Sequence, residues 1–315
     1  MSTTASSAPP AAHAAPRSAL PRQRLTESRR RQIGAAYLLI LPFMVLFLTM
    51  IVVPLVYSGY LSFFKARLIG GTSFVGAENY LRALTDPSFL TGVGRMVLFL
   101  MVQVPLMLVL SLFSALALDS GMMRLAKFVR LGIFVPYAVP SVIATLMWGY
   151  IYGPDFGPIA QIGEAVGLGA PRFFTDTGIF FSIINIVNWE FVGYNMIIMY
   201  AALRSIPTEL YEAARVDGAS RWQSFRAITL PSLKPALVPA IILSVVWTFN
   251  MFNIIFLVTA GEPGGSTEIL ITQAYKLAFE KYRYGYAAAY STVIFGILVV
   301  YGSIQNRLTR ATEAA

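Results

Sequence analysis

The charges in this chain leave long gaps, and those gaps decide what it can fold into. No charged residue occurs at 32–64, 96–118 or 131–154. The second half repeats the pattern over 177–203, interrupted only by Glu190, and again over 235–261 and 284–306. Each run reaches the roughly 20 apolar residues that a helix needs to cross a bilayer core. Helices suit that setting because lipid offers no hydrogen-bond partner to a free N–H or C=O. Six runs predict an all-α integral membrane protein of six spans, and their length argues against one small soluble core. Composition agrees: 57% of residues are hydrophobic and 12% charged, against about a quarter charged in soluble domains.

The formal net charge of +9 would point to nucleic acid in a soluble protein; in a membrane protein it reads as orientation. With the amino terminus inside, the predicted cytoplasmic segments hold 16 of the 24 Lys and Arg, and the opposite side holds 8. Cations concentrate on the cytoplasmic side of membrane proteins, so both termini are expected in the cytoplasm of a multi-pass plasma-membrane protein, with membrane lipid as its solvent and no nucleic-acid partner. Residues 1–33 read as a disordered basic tail, 34–308 as the membrane domain and 309–315 as a second cytoplasmic tail. The stretch SRRRQIG at 28–34 faintly resembles a twin-arginine signal, but the apolar run after it is too long for a signal-peptide core. Basic residues anchoring an uncleaved first helix are the simpler reading. Cysteine is absent and the one histidine, His13, lies in an Ala/Pro-rich segment, so disulfides, thiolate chemistry and histidine-based metal sites have almost no material.

The longest charged loop assigned to the cytoplasm, 204–235, has internal design. Pro207 suits a first helical turn, Gly218 a helix stop, and Ser220 the N-cap of a second short helix. Pro231 and Pro235 are expected to end that second helix and open the fifth span. Tyr211, Ala214, Trp222, Phe225 and Ile228 give the element an apolar face, fit either to lie on headgroups or to insert into a partner.

Within this loop, EAARVDGASRWQSFRAITLPSLKP at 212–235 resembles the EAA loop of binding-protein-dependent ABC import permeases. The match covers Glu212, Ala213 and Ala214, then Asp217, Gly218 and Ala219, then Phe225 and the Ile228 to Pro231 run. FVGAENYLRAL at 74–84, FVPYAVPSVIATLMW at 134–148 and FNMFNIIFLVTAGEPGGSTEIL at 249–270 are similar to the maltose-type sugar branch, and the likeness runs over about 34–308. Glu262 departs from it, where a second glycine is more usual. The resemblance implies a type I importer permease fold of six transmembrane helices whose cytoplasmic EAA helix seats in a separate ATPase. Tyr211, Glu212, Ala213, Ala214, Asp217 and Gly218 would form that contact. It implies a second homologous permease, two copies of the ATPase, and an extracytoplasmic sugar-binding protein docking near 63–94, 152–178 and 261–283. ATP and Mg would belong to the partner ATPase, with no cofactor on this chain.

The polar groups inside the spans point to a substrate path. Glu190 is the one ionisable residue within a span, and a carboxylate near the bilayer centre costs at least about 2.5 kcal/mol unless it faces a partner or a wet cavity. Asn185, Asn188, Trp189, Tyr194 and Asn195 stand near it, and the fifth span carries Ser244, Trp247, Thr248, Asn250 and Asn253. Carboxylate and amide groups bind hydroxyls and aromatic rings stack on sugar faces. The resemblance places substrate contacts in the same two spans. Asn188, Glu190, Tyr194, Asn195, Ser244, Trp247, Thr248, Asn250 and Asn253 are therefore the candidate binding residues for a di- or oligosaccharide. The bland alternatives are helix-to-helix packing by these amides and hydroxyls, and a pairing of Glu190 with the partner permease. No Walker A loop and no catalytic constellation was found, so the chain reads as a transport subunit and not an enzyme. Two other functions stay open: a glycerol-3-phosphate importer of the same branch, and a stand-alone secondary transporter, which would usually carry an internal repeat and several intramembrane charges.

Overall fold

The structure, a computed structural model, describes residues 27–67, 71–121, 124–175, 178–249, 251–259 and 269–313. Most of the expected amino-terminal tail and the turn around Glu262 lie outside the described residues. Two compact units divide the chain at Leu55 and Val56.

Where it is described, the first unit is helical. Helix α1 (Glu27–Phe47) runs through Pro42 into a π-helical turn at Leu48–Val52, and α2 (Val53–Leu61) follows without a break. Gln32–Leu61 is long and apolar enough to cross a membrane. Its side chains are apolar around the whole circumference and mostly exposed, Leu39 to 81%. That is the pattern of a helix whose solvent is lipid.

The second unit begins within α2 and then departs from the all-helical expectation, with an antiparallel hairpin of β1 (Phe64–Arg67) and β2 (Gly71–Phe74) that pairs Phe64 with Phe74. The two rings meet edge-on at 5.4 Å, and Asn79 in α3 (Glu78–Thr85) holds the strand by donating to the carbonyls of Ser62 and Phe64 at 2.8 and 3.0 Å. A tract too short to alternate over many residues carried little strand signal.

Helix α4 (Pro87–Asp119) starts where Asp86 caps it, its carboxylate accepting from Ser88 N–H at 2.9 Å with Pro87 in the first turn, the expected chemistry of a helix start. The third charge-free run is broken: α5 (Ala126–Ala138) and α6 (Ser141–Ile151) meet at 100° across Val139 and Pro140. Pro140 has no N–H to continue the ladder and biases Val139 to extended backbone, observed at ψ 128°. Short helix α7 (Pro158–Ala165) precedes α8 (Gly178–Arg204), one unbroken helix of 27 residues.

Beyond α8 come α9 (Thr208–Val216) and α10 (Arg221–Ser224), a π-helical turn at Phe225–Thr229, then α11 (Leu230–Phe249). Here the expectation is corrected. Pro231 and Pro235 do not end a helix, for the helical run is continuous over Arg221–Phe249. The π-helical turn just before Pro231 is the kind of local adjustment that accommodates a missing N–H. Nor is the apolar run 235–261 one helix, since α11 stops at Phe249 and α12 (Phe252–Thr259) is separate. Helix α13 (Leu270–Tyr275), a π-helical turn at Lys276–Glu280, and α14 (Tyr284–Glu313) complete the chain.

Among the described residues four helices are long and apolar enough to cross a membrane, or five if the bent α5–α6 pair counts as one span. Helix α8 has the length; its Asn, Glu and Trp residues lower its apolarity. The core lies along α4 and α8, where Ser111 Oγ donates to the Val192 carbonyl at 3.1 Å. One apolar cluster includes Phe89, Ile186, Ile255, Leu270 and Tyr290, and a second includes Ala115, Met196, Met199, Leu203 and Leu233. Gly193 fits α8 against α5, because a Cβ there would run into the Ile133 carbonyl.

Candidate functional site

Helices α4, α8 and α11, the α5–α6 break and the start of α12 surround a cavity of about 580 Å³. From α8 come Glu190, Phe191, Tyr194 and Asn195, on one face because residues four apart on a helix stand above one another. From α11 come Ser244, Trp247 and Thr248 on the same logic, and Asn253 comes from α12. Seven of the nine candidate binding residues thus line one cavity. Trp247 and Asn253 meet there although they lie on different helices. Asn188 does not line it: it is buried, its Nδ2 donates to the Ile184 carbonyl at 2.9 Å, and its Oδ1 has no partner among the described residues. Asn250 lies outside the described residues. Nearby, Asn185 Nδ2 donates to Tyr152 Oη at 2.7 Å and Trp189 packs edge-on to Trp148 at 5.7 Å.

The reading of the sequence missed Gln103 and Met107 of α4 and Tyr137 of α5, all of which line the cavity. Gln103 had a signal, being the one amide in the run 96–118. Tyr137 did not, since nothing in the sequence said that α5 would turn there.

The hydrogen bonds around the cavity are lopsided. Ser244 Oγ donates to the Ala240 carbonyl at 2.7 Å and Thr248 Oγ1 to the Ser244 carbonyl at 2.9 Å. Asn195 Nδ2 donates to the Phe191 carbonyl at 3.0 Å and reaches Met107 Sδ at 3.4 Å, the sulfur that Gln103 Nε2 reaches at 3.5 Å. These four side chains therefore donate within the protein. Glu190 Oε2 and Gln103 Oε1, by contrast, are buried acceptors with no hydrogen-bond partner among the described residues; Glu190 is 6% exposed and Gln103 1%. Aromatic rings supply the walls: Tyr137 stacks on Tyr194 at 4.7 Å and Phe191 tilts against Trp247 at 5.6 Å. No Lys, Arg or His is among the described residues lining the cavity. Among the described residues no cluster of three or more His, Cys, Asp or Glu is placed to hold a metal.

The 204–235 segment folds as the short helix α9 and, past a glycine, the start of the continuous helical run that α10 opens. Helix α9 closes with Asp217 N–H bonded to the Ala213 carbonyl and Ala219 N–H to the Ala214 carbonyl, at 3.0 and 2.9 Å. Gly218 sits at φ +76°, a left-handed conformation that costs other L-residues energy. Ser220 and Gln223 then form a reciprocal capping box for α10. Tyr211 Oη lies 2.9 Å from Thr229 Oγ1, tying α9 to the π-helical turn. Tyr211 and Ile228 pack on the second core cluster. Trp222, expected on the same apolar face, is 68% exposed instead, stacked only on Phe225 at 5.4 Å. Glu212, Ala213, Asp217 and Gly218 are exposed, and Ala214 is half-buried.

Comparison with known proteins agrees over most of the length. The family described as binding-protein-dependent transport system inner membrane component matches residues 83–313. The trehalose/maltose transport system permease MalF of Thermococcus litoralis is 32% identical over 89% of this chain and 95% of its own. The diacetylchitobiose uptake system permease DasB of Streptomyces coelicolor is 34% identical over 84% of this chain and 83% of its own. Among solved structures, a chain of a bacterial ABC transporter involved in import of the acidic polysaccharide alginate superposes with a TM-score of 0.76, covering 90% of this chain and 98% of that one at 21% identity.

Proposed function

From the chain's membership of the binding-protein-dependent transport system inner membrane component family, we propose that it is the translocating permease subunit of an ATP-driven importer for a di- or oligosaccharide. The observation that carries this reading is the cavity: Glu190, Tyr194, Asn195, Ser244, Trp247 and Thr248 converge on about 580 Å³ inside an otherwise apolar helix bundle. Hydroxyl-binding groups between aromatic walls suit a sugar, and two relatives named for trehalose/maltose transport and diacetylchitobiose uptake support that class.

In this proposal the bundle has six spans with both termini in the cytoplasm, α8 and the bent α5–α6 pair each counting as one. The α9–α10 elbow, through Tyr211, Glu212, Ala213, Ala214, Asp217 and Gly218, seats in a cytoplasmic ATPase that binds ATP and Mg. The elbow suits that role because it exposes a carboxylate for a charge-assisted bond and is stiffened by its capping box. A second permease and a second ATPase complete the machine, and an extracytoplasmic binding protein delivers the sugar. In the mechanism this chain orients hydroxyls against its acceptors and rings and passes the sugar on as the helices shift; no covalent step is needed.

The test is uptake of labelled maltose, trehalose and diacetylchitobiose by proteoliposomes holding the co-expressed importer. ATP-dependent accumulation of at least one, with the ATPase retained through detergent purification, is the expected result. Full transport by this chain without any ATPase would sink the proposal in favour of a secondary transporter, and uptake of glycerol-3-phosphate alone would sink its substrate class.

A further inference from the structure

Building on the reading of the cavity as the substrate path, we infer that it is a charge filter: it favours amino sugars over neutral ones and rejects anionic ones such as uronates and sugar phosphates. The argument rests on the ionisable groups that line it: Glu190 is there, and no Lys, Arg or His is among the described lining residues. The lining donors, among them the Tyr137 and Tyr194 hydroxyls and the Trp247 indole, are neutral and bring no positive charge to meet an anion. Glu190 Oε2 and Gln103 Oε1 are buried acceptors with no hydrogen-bond partner among the described residues. A buried carboxylate with no cation beside it is destabilising until something supplies a positive charge, and a ligand ammonium does. A carboxylate or phosphate does the reverse. It brings another negative charge into a low-dielectric space where no Lys, Arg or His among the described lining residues balances Glu190.

The walls act in the same direction. Tyr137 stacked on Tyr194, and Trp247 against Phe191, present ring faces whose electrostatics attract a cation and disfavour an anion. The alginate importer, whose fold this chain shares, takes an acidic polysaccharide; these lining residues are built for the opposite charge.

The experiment is calorimetric titration of the detergent-purified importer, permeases with ATPase and without binding protein, using three probes: maltose, a glucosamine disaccharide and digalacturonate. Expected is an affinity order of glucosamine disaccharide, maltose, digalacturonate, with the last at least about tenfold weaker than maltose, a ratio worth about 1.4 kcal/mol. Glu190→Gln, of the same shape, should lose the preference for the amino sugar and narrow the maltose-to-digalacturonate gap to about the experimental error. Digalacturonate binding as well as maltose overturns the filter while leaving the substrate-path reading intact, and so does an unchanged order in the E190Q importer. Binding of none of the three overturns both. Should E190Q fail to assemble, the order measured on the native importer decides the matter by itself.

Discussion

The Tyr286 phenol donates a 2.7 Å hydrogen bond to Oδ2 of Asp86, joining the first turn of α14 to the N-cap of α4 across 200 residues of sequence. The Arg82 guanidinium lies over the same ring, 4.8 Å from its centre. Two helices that begin far apart in the chain therefore start from one polar knot. Gln273 of α13 adds to it by donating to the Ser88 carbonyl at 3.1 Å and accepting from Tyr290.

That knot has a pH signature. Burial pushes the Asp86 carboxyl up, but hydrogen bonds from Tyr286 and Ser88, with help from Arg82, outweigh it and hold the group below the ordinary carboxylate range. A carboxyl depressed on folding contributes stability that is present above its unfolded value of about 3.9 and lost as pH falls through the folded one. Tyr286→Phe should lower stability by about 0.5–1.5 kcal/mol, the net range of an ordinary hydrogen bond, because water around Asp86 screens the charge. Thermal unfolding of the detergent-purified protein from pH 7 down to 3 should show the gap between native and Y286F closing at the acid end.

Gly193 is predicted to be intolerant of any side chain. A Cβ at that position meets the Ile133 carbonyl and the Phe134 backbone, and backbone cannot swing aside as a flexible side chain does. Gly193→Val should cost at least the roughly 1–3 kcal/mol of core overpacking, read as a lower melting temperature, while Gly94→Val, where nothing lies within 4 Å, should leave it unchanged.

Gly218 presents the opposite case, since a Cβ there meets nothing but the backbone is left-handed at φ +76°. The predicted defect is one of conformation. Gly218→Val should strain the elbow by about 1–2 kcal/mol and reduce sugar uptake per ATP hydrolysed by about tenfold, with membrane insertion intact. Gly218→Asn should recover much of the coupling, because asparagine enters the left-handed region more readily. Equal coupling in all three forms would remove the elbow from the transport cycle.

Gln103 should trade stability for function. Its Oε1 is a buried orphan, and removing such a group relieves a penalty of about 1–3 kcal/mol. Gln103→Leu should therefore melt at or above the native temperature while binding the transported sugar more weakly, measured by unfolding and by calorimetry on the same preparation.

Charge gaps revealed where the long helices lie, because lipid excludes charge wherever it occurs and the constraint is local. Glu190 was legible for the same reason: one carboxylate in an apolar run has few explanations. What stayed hidden depends on geometry between segments. A proline inside an apolar run, such as Pro140, does not by itself say that the chain turns by 100° there, and two prolines, Pro231 and Pro235, looked like a helix end when a π-helical turn absorbs them. Gln103 was passed over because a single amide in an apolar helix usually serves packing. Only the arrangement of α4 beside α8 turns it toward Glu190 and the cavity, and Asn188, equally polar and two residues from Glu190, away from it.

The sharp bend between α5 and α6 places Tyr137, Ala138, Val139, Pro140 and Ser141 on the cavity. The final carbonyls of a helix have no partner within it, so under the proposed function main chain at this bend would share in meeting a sugar, whatever side chains those positions carry. Alanine scanning would pass over this share of the recognition. Relatives that handle different cargo could arrive at it by tilting the bend a few degrees, leaving no trace in the identities of the residues around it.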